Sequence, residues 1–130
     1  MLEPLDARHN ESDYAAWTSS REHIKTTPGF IGDPAWLDLD MSLADNASAI
    51  GQHRKDFEAR AGFAYTVLDP LTGEVIGCVY LYPPRRDGYD ADVRSWVRAD
   101  RADLDKPLHD LVRQWLAAAW PFRNPEYAAR

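Results

Sequence analysis

The sequence predicts an α+β (mixed α/β) domain, a small and mostly antiparallel sheet with helices on both faces. Three observations carry that expectation. Residues 63–97 read as three successive strands with turn chemistry between them. Leu108, Leu111, Val112, Trp115, Leu116 and Ala119 then repeat at helical spacing, a stripe of the kind that packs on a sheet. Two further helical segments, each opened by a capping signal, precede the strands.

The strands can be justified one by one. Phe63-Ala-Tyr-Thr-Val-Leu68 alternates, with Phe63, Tyr65 and Val67 on one face. Asp69 to Glu74 is turn chemistry, in which Pro70 restricts φ and Gly73 supplies a positive φ. Val75 to Tyr82 is apolar on both faces and reads as a central strand. Pro83-Pro84 ends it, and Asp87-Gly88 marks the next reversal. Ala91 to Val97 places Ala91, Val93, Ser95 and Val97 on one face and Asp92, Arg94 and Trp96 on the other. Pro121 stops the helix that follows.

Ahead of the strands, Leu2 to Leu5 suits a short opening strand. Asn10-Glu-Ser-Asp13 reads as a helix start with Asn10 as N-cap, and that helix turns Tyr14, Trp17 and Ile24 inward. Thr27 to Met41 has no period but holds Phe30, Ile31, Trp36, Leu37 and Leu39, so it is expected to dock on the core or wall a pocket. Ser42-Leu-Ala-Asp45 is a second capping box. Leu43, Ala47, Ile50, Phe57 and Ala61 form the expected apolar side of its helix, with Gly62 as the stop. Glu126 to Arg130 is a candidate fifth strand beside the third of the meander, reached through a helical crossover.

Composition narrows the class. At 130 residues, 45% of them hydrophobic, residues 1–130 suit a single domain. A net charge of −6 argues against nucleic acid as partner. No apolar run is long enough to span a bilayer, and the N-terminus shows no secretory signal, so a cytoplasmic protein without a membrane partner is expected. The sole cysteine, Cys78, reads as a buried small hydrophobe. His9, His23, His53 and His109 lack ligand spacing, and no metal is expected.

Thr72-Gly-Glu-Val-Ile-Gly-Cys-Val-Tyr-Leu-Tyr82 is similar to the G-x-x-I-G strand pair of GNAT-type N-acetyltransferases. Asp92-Val-Arg-Ser-Trp-Val97 resembles that family's fourth strand, and the order of elements resembles its first two-thirds. The resemblance implies a GNAT-like fold without the family's last helix and strands. It also implies acetyl-CoA as cofactor and transfer of an acetyl group to a small amine. By the same resemblance, Arg98, Arg101 and Lys106 would hold CoA phosphates and backbone groups of Val97 and Arg98 would receive the pantetheine arm. Asp92 would assist deprotonation, and Phe30 and Trp36 would contact the acceptor.

The turn departs from the family pattern. Arg/Gln-x-x-Gly-x-Gly/Ala is replaced by Arg98-Ala-Asp-Arg-Ala-Asp-Leu-Asp-Lys-Pro107, with no glycine after Gly88. Glycines there would form an anion nest, whereas Asp103 or Asp105 is a candidate N-cap. Asp92 is therefore either a catalytic base or a strand carboxylate paired with Arg94. Thr26 to His53 contains no Lys or Arg but has Asp33, Asp38, Asp40 and Asp45, an acidic and aromatic stretch suited to an amine. The rival reading is an inactive GNAT-like module that binds a partner, or forms a homodimer, through an open sheet edge.

Overall fold

Five strands build one sheet in the order β1-β2-β3-β4-β5 in this computed structural model, which describes residues 1–32 and 35–130. They are β1 (Leu2–Pro4), β2 (Phe63–Leu68), β3 (Val75–Tyr82), β4 (Ala91–Val97) and β5 (Pro125–Tyr127). The first four pair antiparallel, and β5 lies parallel to β4 after the crossover through α4 (Asp105–Ala119). The expected α+β class and the three-strand meander are both present. Asp33 and Pro34 lie outside the described residues.

The other face carries α1 (Asn10–Thr18), α2 (Arg21–Lys25) and α3 (Leu43–Glu58). Trp17, Ile24, Phe30, Leu37, Cys78 and Trp96 form the core beneath them, with Cys78 buried as expected. Opposite, Val67, Ile76, Val79, Leu81 and Val93 meet Val112 and Leu116 of α4. The β2–β3 register shifts between Val67 and Leu68, which reverses the alternation there: Val75 joins the core under the first three helices and Ile76 the one under α4. Among the described residues, no helix is long and apolar enough to cross a membrane.

Several element ends differ from the sequence reading. Asn10 is not the N-cap of its helix. Asp6 accepts from the Ala7 N–H at 2.8 Å, its own N–H donates to His9 Nδ1 at 3.0 Å, and the resulting turn runs on into α1. The helix also stops at Thr18. Ser20 instead accepts from the Ala99 N–H at 2.9 Å, tying the break to the exit of β4, and Ile24 sits on the separate α2.

In α3 the capping box at Ser42 forms as expected. Leu43 and Ala47 are exposed, however, and Asn46 takes the buried place. Its side chain accepts from Trp17 Nε1 at 3.0 Å and donates to Asp13 at 3.1 Å, so a polar residue satisfies the core position. Arg60, at φ 56°, takes the left-handed position after this helix instead of Gly62. Gly62 is required for another reason, since a Cβ there would lie 2.3 Å from the Tyr82 ring.

Neither Asp103 nor Asp105 caps α4, whose N-cap is Leu104 with no side-chain bond. A short 3₁₀ segment from Ala99 to Leu104 leads into the helix. On α4 Leu111 is 64% exposed while His109 is buried. Its ring lies 4.3 Å, centroid to centroid, from Tyr127 on β5. The loop expected to be irregular contains a 3₁₀ turn, Ala35–Asp38.

Candidate functional site

A cavity of about 490 Å³ opens between α1, α3 and the helix-covered face of β3 and β4. Its apolar wall is aromatic because the loop after α2 folds back onto the core. Phe30 is buried and meets Trp36 and Tyr80 edge-on, at centroid distances of 6.2 and 6.5 Å, and Trp36 meets Trp17 at 5.5 Å. Tyr80 Oη accepts from Trp96 Nε1 at 2.9 Å, which pins the ring.

Asp92 enters the same cavity from β4. Its Oδ2 lies 3.1 Å from Arg85 Nε and 3.3 Å from Arg94 Nε. Arg94 in turn stands over the Phe30 ring at 5.8 Å. One cavity thus brings together Phe30, Trp36 and Asp92, residues 62 positions apart at their extremes. The described loop carboxylates go elsewhere. Asp38 pairs with Lys25, Asp45 caps α3, and Asp40 is exposed. Among the described residues, the acids on the cavity wall are Asp13 and Asp92. Burial pushes the Asp13 carboxyl up from its ordinary value.

The cavity holds one further group that residue spacing did not single out. His53 lies on the inner face of α3, its Nδ1 2.6 Å from Tyr82 Oη, and Tyr82 donates to Asp56 Oδ2 at 3.1 Å. Burial lowers the His53 pKa, and burial together with the Asp56 charge raises that of Tyr82. The available signal was a histidine one turn after Ile50 and three residues before an aspartate, on the helix face that meets the sheet.

The exit of β4 is organised differently. Val97 is buried. Arg98 makes two bonds of 2.8 Å to Asp100 and reaches Glu74 at 3.4 Å. Arg101 donates to Asp69 at 2.7 Å, and Lys106 to Asp110 at 2.8 Å. The Arg98 N–H is already given to Ile76 O at 2.9 Å. Bonds from the Leu71 N–H and from Arg101 hold the Asp69 carboxyl below its ordinary value. Each of the expected cofactor cations thus lies beside a carboxylate.

Beyond Val93 and Tyr127 the strands β4 and β5 cease to pair. Protein side chains fill the gap. Ser95 Oγ and Tyr127 Oη lie 2.5 Å apart. Arg130 donates to Ser95 O at 2.8 Å and to Asp105 Oδ2 at 2.7 Å, with only 4% of its side chain exposed.

Comparison with solved structures gives the fold its place. The ribosomal-protein-S5-alanine acetyltransferase of Vibrio fischeri matches with a TM-score of 0.65 at 12% identity, over 91% of this chain and 63% of its own. An acetyltransferase of the GNAT family from Streptococcus pneumoniae matches with 0.58 at 10% identity, over 98% of this chain and 72% of its own. The fold is that of the GNAT N-acetyltransferases. The microcin C7 self-immunity acetyltransferase MccE, solved with acetyl-CoA and AMP, matches with 0.61 at 15% identity, over 91% of this chain and 63% of its own. The chain thus spans 63% of the length of two of these GNAT-fold enzymes and 72% of the third. No protein-family model and no curated protein matches the sequence.

Arg130 occupies the Ser95 carbonyl on the β4 edge that β5 leaves unpaired, and no side chain caps the start of α4.

Proposed function

We propose that the chain is an acyl-CoA-dependent N-acyltransferase whose acceptor is a small amine with an apolar or aromatic body. The observation that carries this reading is the meeting of Asp92 with Phe30 and Trp36 in one cavity, on the fold of the N-acetyltransferases. The body of the acceptor would pack on Phe30, Trp36 and Tyr80, with cation–π attraction adding about 0.5–2 kcal/mol. Asp92, oriented by Arg85 and Arg94, would accept a hydrogen bond from the acceptor nitrogen and assist its deprotonation. Arg98, Arg101 and Lys106 are the proposed phosphate contacts, and the β4 edge at Val97 the proposed seat of the pantetheine arm.

Calorimetric titration of acetyl-CoA tests this reading. Binding in the micromolar range, weakened about tenfold by Arg101→Glu, is expected. No heat at several hundred micromolar ligand would remove the donor and the reading with it.

One observation favours a second reading, a GNAT-fold module that binds without transferring. Arg130 and Tyr127 fill the donor gap from within the chain. The outer edge of β5 would then be the contact for a second copy or a partner protein. Sedimentation between 5 and 200 µM protein checks it, with a monomer–dimer shift expected if that edge pairs.

A further inference from the structure

Asp56 Oδ2 lies 3.1 Å from the Tyr82 oxygen and, as a carboxylate, can only accept, so both Tyr82 contacts are hydrogen bonds only when its one proton goes to Asp56. Toward His53 Nδ1, 2.6 Å away, the same oxygen can then act only as acceptor. That bond requires the proton of neutral His53 to be on Nδ1 and leaves the lone pair on Nε2. Nε2 has no hydrogen-bond partner among the described residues and is not fully buried, and the residue lines the cavity. The ring is held between Tyr80 and Tyr82, at centroid distances of 5.8 and 6.0 Å. Gly62 contributes by lacking a Cβ, which allows the Tyr82 ring to sit against the chain there.

We propose that His53 is the general base of this cavity, with Tyr82 and Asp56 as its positioning residues. The proposal rests on the acyltransferase reading above and names the group that receives the proton. His53 Nε2 takes a proton from the bound ammonium; the N–H bond breaks, its electron pair stays on the amine nitrogen, and an Nε2–H bond forms. The resulting imidazolium faces Asp56 through Tyr82 on its own side and Asp13 from α1. The tilted Tyr80 ring lies against it from β3, while Asp92, Arg85 and Arg94 line the same cavity. Asp92, already ion-paired with Arg85 and Arg94, orients the amine, and His53 accepts the proton once the amine is seated. Burial keeps the imidazole neutral near pH 7, the form in which it can act.

Two measurements test it. Long-range nitrogen–proton NMR of the labelled protein should show the Nδ1–H tautomer at His53. Tyr82→Phe, which removes the acceptor, should shift that signal toward the other tautomer. An Nε2–H tautomer in the unaltered protein overturns the proposal whatever the activity.

The second measurement is acetyl transfer from acetyl-CoA to benzylamine as a function of pH. In the unaltered protein, kcat/KM should rise to a plateau through the same pKa that NMR gives for His53. His53→Gln should lower kcat by ~10²–10³-fold and abolish that plateau, with benzylamine binding changed less than threefold by calorimetry. Tyr82→Phe should displace the pKa of the profile and lower kcat by a smaller factor. Active protein with an unchanged profile in His53→Gln overturns the role of His53 and leaves the acyltransferase reading intact. Protein that neither binds acetyl-CoA nor acetylates any amine overturns both.

Discussion

Asp13 turns its carboxylate beneath α3 and β3, taking a bond from Asn46 Nδ2 at 3.1 Å and from Cys78 Sγ at 3.5 Å. Burial outweighs those bonds and raises its pKa above the ordinary aspartate value. A carboxyl raised by folding contributes stability fully present below its unfolded pKa and lost as pH rises through its folded value. Asp13→Asn should therefore match the parent near pH 3 and exceed it in stability at pH 7, as read by urea unfolding at both. Arg130 gives the opposite case, a nearly buried cation on Asp105 and the Ser95 carbonyl. Removing one partner of such a pair leaves the other uncompensated, so Arg130→Ala should cost about 2–4 kcal/mol in the same assay. It should also strengthen acetyl-CoA binding in calorimetry if the gap is the donor seat.

At the scale of elements, two glycines separate propensity from packing. Gly51 lies in α3 with nothing within 4 Å of the Cβ it lacks. Gly51→Ala should stabilise by about 0.5–1 kcal/mol, since alanine loses less backbone freedom in a helix. Gly77 lies in β3, where a Cβ would meet the Trp96 carbonyl oxygen at 2.3 Å and the Val97 Cα at 3.3 Å. Neither is the end of a flexible side chain, so Gly77→Ala should cost about 1–3 kcal/mol. Thermal unfolding of both variants checks the contrast. The strands were legible because period-two alternation and the turns at Gly73 and Gly88 are local signals. The inner face of α3 was not, because Asn46 and His53 are polar residues at core positions. Their partners Trp17, Asp13 and Tyr82 come from α1 and β3.

For the whole molecule, donor and acceptor sides can be tested apart. In the proposed reading acetyl-CoA binding reports on the exit of β4, where Arg98 and Arg101 are already paired with carboxylates. Phe30→Ala and Trp36→Ala address the other side. Each should weaken benzylamine binding about five- to twentyfold while leaving acetyl-CoA affinity within threefold, measured by separate titrations. Equal loss on both sides would show a folding defect instead of a two-sided site.

The sequence by itself determined the elements that depend on neighbours along the chain. These are the meander from Phe63 to Val97, the cap at Ser42, the helix after Asp105, and an aromatic loop too apolar to be idle. It also carried the likeness to the GNAT fold, through the order of those elements. Tertiary structure alone decided where side chains from distant segments meet. It set Asp92 beside Phe30 and Trp36, joined His53 to Asp56 through Tyr82, and placed Arg130 between β4 and β5. The physical reason is the range of the forces involved. Periodicity and capping act over a few residues, whereas a cavity and its hydrogen bonds form only when the sheet brings its two covered faces into register.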